Sequence, residues 1–181
     1  MRSEIVTAKL LDPTDLLKNH LGLGVGHQMG DLGCGGAGYF TIPAARLVGN
    51  MGKVYAVDIL KSALDGVVGK AKLENLHNIE TVWSDLEKVG ATKIPESTLD
   101  TACLINILFQ SRNNENLLQE ACRLLKVGGK LLLVDWKVEP TPLGPPQDQR
   151  LSPQEVDRLA TKSGFSVTES FQAGPKNDGM I

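Results

Sequence analysis

The densest chemistry in the sequence is a glycine cluster. Asp31-Leu32-Gly33-Cys34-Gly35-Gly36-Ala37-Gly38 follows an apolar stretch and precedes Tyr39-Phe40-Thr41-Ile42-Pro43-Ala44-Ala45. That order reads as a strand, a tight turn and the start of a helix. Glycine reaches positive φ without strain and lets a ligand approach the backbone closely. Four glycines within six residues exceed the needs of a plain strand-to-helix turn, so this loop is expected to hold a ligand. The string Gly33-x-Gly35-x-x-Gly38 also fits a dinucleotide fingerprint, where a helix N-terminus faces a pyrophosphate. Asp31 opposes that match. A carboxylate two residues before the first glycine would repel the anion, and it favours a positively charged ligand without phosphate.

Asp58 closes the next apolar run, twenty residues beyond Gly38. A carboxylate there can accept both hydroxyls of a ribose, each such bond being worth about 1.5–3 kcal/mol. Its spacing alone does not separate a nicotinamide dinucleotide from other nucleosides. Little else has catalytic spacing. Cys34, Cys103 and Cys122 form no CxxC and have no histidine at ligand distance, so neither a disulfide framework nor a metal site is expected. Their use fits small buried residues in a cytoplasmic protein. His20, His27 and His77 lie away from the motif ends and read as surface or packing residues.

The elements that must position these residues alternate. A leading helix is expected over residues 5–20, capped by Asp12 or Thr14. Strands are expected at His27–Leu32, Lys53–Val57, Ile79–Trp83, Leu99–Leu104 and Lys130–Val134. Helices are expected at Ala63–Asn75, Glu115–Leu125 and Pro153–Ser163, the last with Ser152 as cap, Pro153 in its first turn and Gly164 as its stop. Such alternation predicts an α/β fold, with a mostly parallel central sheet and helices on both faces. A sheet of this type binds its ligand at the carboxyl ends of its strands, where strand order reverses. The length of 181 residues suits one domain, residues 1–26 leading in and 27–181 forming the core. Charges nearly balance, 19 Lys plus Arg against 21 Asp plus Glu, so no dedicated nucleic-acid patch is expected. No run of about 18 apolar residues occurs, so no membrane span is expected, and Met1 to Ile5 carries no expectation of a signal peptide.

Taken together, Asp31-x-Gly33-x-Gly35, the strand ending at Asp58, the Ser84-Asp85-Leu86 step and Leu125-Lys126-Val127-Gly128-Gly129-Lys130 resemble class I S-adenosylmethionine-dependent methyltransferases. The resemblance covers about residues 28–136. Asp135-Trp136-Lys137 and Gly144-Pro145-Pro146, leading to Arg150 and Ser152-Pro153-Gln154-Glu155, are similar to the ubiquinone/menaquinone-biosynthesis-type group. The resemblance implies a single Rossmann-like methyltransferase domain with S-adenosylmethionine as cofactor. It further implies that Asp31 and Gly33, Cys34 and Gly35 line the methionine and ribose portions, Asp31 facing the ligand amino group directly or through water. By the same resemblance Asp58 holds the ribose, Ile59 packs on adenine, and Asp85 with the backbone of Leu86 meets the adenine edge. Asn106 would stand beside the methionine end and the methyl acceptor. Tyr39 would border the sulfonium or cover the loop, and Trp136 is a candidate lining for an acceptor pocket.

Two departures carry expectations of their own. Ala37 stands where the family places a third glycine, with Gly38 one residue late, so the loop beyond Gly35 should bend unusually. The last strand should be very short, or the chain truncated before it. The acceptor is expected to be a small or lipid-like molecule, because only a short leading helix and the Pro140–Arg150 loop are available to cover it. The run Leu104-Ile105-Asn106-Ile107-Leu108 replaces the Asn-Pro-Pro-Tyr of enzymes that methylate nucleic-acid amino groups. A monomer or homodimer is expected. A non-catalytic S-adenosylmethionine-binding or partner subunit, and a nicotinamide-dependent oxidoreductase, are the competing readings.

Overall fold

The computed structural model describes residues 11–141 and 143–181. The first part of the expected leading helix therefore lies outside the described residues. What is described starts later and is wound differently. One α-helical turn, α1 (Pro13–Asp15), runs into a π-helical turn over Leu16–His20. Asp12 is the cap: its Oδ1 accepts from the Asp15 amide at 3.1 Å, and Pro13 occupies the first turn, where a missing N–H costs nothing. The wider turn points both Leu16 and Leu17 inward, and each is buried.

The remaining elements alternate as the sequence predicts. In order they are β1 (Gln28–Leu32), α2 (Thr41–Val48), β2 (Lys53–Asp58), α3 (Lys61–Leu73), β3 (Ile79–Trp83) and β4 (Leu99–Ile105). Then follow α4 (Asn114–Leu124), β5 (Leu125–Trp136), α5 (Pro153–Lys162), β6 (Ser170–Gly174) and β7 (Asn177–Met180). The caps have local causes. Asn113 Oδ1 accepts from the Asn116 amide to start α4, and Ser152 Oγ accepts from the Glu155 amide to start α5. Gly164, at φ +99°, ends α5 in a backbone region that other residues rarely enter.

The strands lie in one sheet in the order β3-β2-β1-β4-β5-β7-β6. The five strands β1 to β5 are parallel, while β7 runs antiparallel to both β5 and β6. Order reverses between β1 and β4, because the chain first adds strands outward on one side of β1 and then returns to its other side. The last strand is indeed short, but it is present and fills the slot between β5 and β6. Strand β6, at the sheet's edge, starts at Ser170.

Each face of the sheet buries its own layer. Met29, Val54, Cys103, Leu132 and Val134 pack with Leu16, Leu17 and the α2 residues Ala44, Ala45 and Val48. Leu32, Val57, Leu104, Leu131 and Leu133 pack with Leu117, Leu118, Ala121 and Leu124 of α4 and Val156, Leu159 and Ala160 of α5. The Lys126–Gly129 turn is a bulge within β5: pairing with β4 jumps from Leu99↔Leu125 to Thr101↔Lys130. Gly128 turns it at φ +78°, and Lys126 Nζ clamps Asp100 at 2.6 Å.

Candidate functional site

A cleft of about 390 Å³ opens at the carboxyl ends of the strands, at the point of strand-order reversal. Its floor is the glycine loop, with Gly33, Gly35 and Gly36. The end of β2 contributes Asp58, Ile59 and Leu60. The loop after β3 contributes Ser84, Asp85, Leu86 and Glu87, and Ile107, Gln110 and Ser111 form the far wall. Of the residues singled out in the sequence, Gly33, Gly35, Asp58, Ile59, Asp85 and Leu86 therefore meet here.

The loop's shape follows from its glycines. Gly33, Gly35 and Gly38 sit at φ +81°, +62° and +61°. Gly38 thus takes a left-handed turn one residue beyond the family position, which is how Ala37 is accommodated. Its carbonyl accepts from the Ile42 amide, and α2 begins at Thr41. Gly33 lies so close to Ile107 that a Cβ there would fall 2.1 Å from Ile107 Cδ1.

Asp58 is aimed before any ligand arrives. One carboxylate oxygen accepts from the Gly35 amide and the other from the Leu60 amide, both at 2.9 Å. The loop N–H that would point at a phosphate in a dinucleotide site is thus given to a carboxylate. Among the described residues, the other charged side chains on the cleft wall are Asp85 and Glu87, and no Lys or Arg lines it. Asp85 accepts from the Glu87 amide and pairs with Lys88 at 3.4 Å, while Glu87 accepts from the Ser111 hydroxyl and the Arg112 amide. An acidic wall suits a cationic or hydroxyl-rich ligand and disfavours a pyrophosphate.

Four expected site residues lie elsewhere. Asp31 is 2 % exposed beneath the loop. It accepts from the Thr41 hydroxyl at 2.5 Å and from the Cys103 thiol at 3.4 Å, so it does not face the cleft. Burial pushes its carboxyl up, against the lowering effect of those two bonds. Its side chain shares the Met29 face of β1, turned toward α2. Cys34 is half-buried, its amide donates to the Val57 carbonyl, and burial and the nearby Asp31 and Asp58 raise its thiol. Tyr39 is half-exposed, with its hydroxyl donating to the Leu11 carbonyl at 2.8 Å; it braces the start of the described chain and does not line the cleft. Asn106 stands just behind Ile107, outside the wall itself. Sequence reasoning missed Glu87, Gln110 and Ser111. These are loop residues with no motif, brought together only by topology.

Helix α3 supports the loop through another close approach. A Cβ on Gly66 would sit 2.5 Å from the Gly36 carbonyl oxygen, whereas nothing lies within 4 Å of one on Gly69. In a free helix either Gly→Ala change would stabilise by about 0.5–1 kcal/mol. Gly69→Ala is expected to raise the melting temperature by roughly 1–4 °C. Gly66→Ala is expected to lower it and to displace the glycine loop. Thermal melts of both variants check the opposite signs.

A second cavity, of about 270 Å³, lies beyond the Ile107 turn. Leu108, Leu133, Trp136, Leu151, Val156 and Met180 make it mostly apolar, with Asp135 at the end of β5. Asp135 accepts from the Leu108 and Trp136 amides and so anchors the turn that follows β4. Burial outweighs those bonds and pushes its pKa up from 3.8 to about 6. Between these values the folded chain keeps a proton that the unfolded chain releases, so this group makes stability fall as pH rises through that window. Asp135→Asn is expected to flatten that slope in melts taken from pH 4 to 6.

The same architecture recurs in known proteins. The methyltransferase domain family model matches residues 24–171, and the chain belongs to that family. A solved S-adenosylmethionine-dependent methyltransferase from Aquifex aeolicus superposes with a TM-score of 0.85 at 28 % identity, covering 94 % of this chain and 88 % of its own. The fold is thus that of the class I S-adenosylmethionine-dependent methyltransferases, and part of the chain is similar in sequence to UbiE enzymes. The ubiquinone/menaquinone biosynthesis C-methyltransferase UbiE of Pasteurella multocida is 38 % identical over 118 residues, 64 % of this chain. That of Pseudoalteromonas translucida is 37 % identical over 121 residues. The matches span only 42 % and 45 % of those two proteins. Among the described residues, no helix is long and apolar enough to cross a membrane, and no group of three or more His, Cys, Asp or Glu is placed to hold a metal.

Proposed function

We propose that the chain transfers the sulfonium methyl group of S-adenosylmethionine, in line, to a ring carbon of a small quinone-like acceptor. The carrying observation is the acid-lined cleft, without Lys or Arg among its described residues, in which two backbone amides hold Asp58. In this reading Asp58 accepts the ribose hydroxyls, Ile59 and Leu86 enclose the adenine, and Asp85 meets its amino edge. When bound, the cofactor supplies a methyl group already activated by positive charge. The chain's residues then align the acceptor and exclude water.

The acceptor class draws support from two sides. The curated relatives are named C-methyltransferases of ubiquinone and menaquinone biosynthesis. The apolar cavity beyond Ile107, with Trp136 in its wall, has room for a single ring system.

Calorimetry with S-adenosylmethionine, its demethylated product and NADH tests the cofactor: the first two should bind and the third should not. Transfer of labelled methyl to a short-tailed naphthohydroquinone with a free ring carbon, against catechol and amine controls, tests the acceptor. Label on oxygen or nitrogen alone would overturn the carbon assignment. Binding without transfer to any acceptor would favour a partner subunit.

A further inference from the structure

Trp136, Leu151 and Pro153 stand at the two ends of the connection from β5 to α5, and all three line the apolar cavity. The connection between them has little structure of its own. Among the described residues, no backbone hydrogen bond joins residues 138–145 to one another. One side chain holds them instead. Arg150 Nε and Nη2 donate to the Pro145 carbonyl at 3.0 and 2.8 Å. Its Nη1 donates to the Lys137 and Glu139 carbonyls at 3.0 and 2.9 Å. A guanidinium can gather three carbonyls because its N–H groups form a rigid planar fork, which a lysine ammonium lacks.

These bonds also decide where an indole stands. Gly144 precedes Pro145, and a Cβ on it would fall 2.6 Å from Trp136 Cε3. Its φ of +108° is a second reason for glycine there. Arg150 Cζ lies 5.9 Å from the centre of the Trp136 ring. Trp136 is thus packed by Gly144 and Arg150 while it still lines the cavity.

We propose that Arg150 is a positioning residue: by gathering the Lys137, Glu139 and Pro145 carbonyls it seats Gly144 on Trp136 and fixes the aromatic wall against which a planar quinone-like acceptor stacks. This rests on the acceptor reading above. An electron-rich indole held still offers an electron-poor ring an offset stack. Loosening the loop lets the indole turn away, without touching the cofactor cleft on the other side of Ile107.

The chain has two tryptophans, so Trp83→Phe leaves Trp136 as its one emitter. The probe is a naphthoquinone methylated at both quinone-ring carbons, which cannot alkylate the free thiols of Cys34 and Cys122. Saturable quenching of Trp136 emission reports its binding. The Trp136→Phe chain, with Trp83 retained, should show only a linear, collisional loss. Adding Arg150→Lys or Gly144→Ala to the Trp83→Phe chain should weaken the saturable quenching about tenfold or more. Calorimetry should show S-adenosylmethionine binding unchanged in both, and turnover should show a raised KM for the naphthohydroquinone with kcat little altered. Melting of the variants reports their folding. If Arg150→Lys does not fold, Gly144→Ala carries the decision, and failure of both to fold would overturn a local positioning role. Unchanged quenching, or an equal loss of S-adenosylmethionine binding, would overturn it as well. No saturable quenching in the Trp83→Phe chain itself would refute a quinone-like acceptor in this cavity, and this inference falls with it.

Discussion

Asp58→Ala is expected to weaken S-adenosylmethionine binding by about 10- to 100-fold. The size follows from the net loss of one charge-assisted bond, worth about 1.5–3 kcal/mol, at about 1.4 kcal/mol per tenfold change. Geometry adds to it. Asp58 is also the acceptor for the Gly35 and Leu60 amides, so its removal frees the loop that forms the cleft floor. Asp58→Asn keeps an oxygen for one of these amides but sets an NH₂ against the other, and it should lose less. Titration calorimetry on both variants gives the ranking, with unaltered chain tightest and alanine weakest. Equal affinities for all three would move ribose recognition away from β2.

The largest effect on stability is expected at Glu120, far from any motif. This carboxylate is 0 % exposed on α4. It accepts from the Gly90 amide at 2.7 Å, from the Thr92 amide at 3.0 Å and from Arg123 at 2.8 Å through two guanidinium nitrogens. Arg123 donates onward to the Thr92 carbonyl. Breaking one side of a buried pair costs about 3–5 kcal/mol, so Glu120→Gln should lower the melting temperature by on the order of 10 °C. Burial by itself would raise the Glu120 pKa, but Arg123 and the backbone donors outweigh it and hold it at about 2, below the ordinary 4.5. A depressed carboxyl stabilises fully above its unfolded value and loses that contribution as pH falls through its folded value. The gap between unaltered chain and Glu120→Gln should therefore be widest above pH 5 and close as pH falls toward 2. A gap independent of pH would mean that packing, not charge, carries the effect. The residues Glu120 anchors follow Asp85, Leu86 and Glu87 directly, so cofactor affinity should fall with stability.

Much of this fold can be read from the chain because its signals are local. Ser152, Pro153 and Gly164 bracket α5 within a residue or two, and the apolar runs mark every parallel strand. What escaped reading depends on direction and on distance in sequence. Asp31 was expected at the ligand, yet alternation along β1 places it with Met29, facing α2, where Cys103 stands opposite it in the sheet. The carboxylates that do line the cleft are Asp58, Asp85 and Glu87. Glu87, Gln110 and Ser111 belong to loops separated by a strand, and only the return of the chain past β1 brings them to one wall. The π turn at Leu16–His20 leaves no signature either, since a single turn of five residues is too short to show its period.

The place of β7 has a consequence for synthesis. Strand β6 leaves the ribosome first, yet among the described residues its only neighbour in the sheet is β7, which is made after it. Until Asn177–Met180 has emerged, β6 has no edge to join, and β5 ends the sheet with its backbone groups bare. The two strands must zip together across the short Gly174–Asn177 connection, an event of about 1–10 μs for a hairpin, and then dock on β5 as a finished ribbon. The bond from Asn177 to Asn106 can close only at that docking, so the turn after β4 gains this tie later than the parallel strands gain theirs.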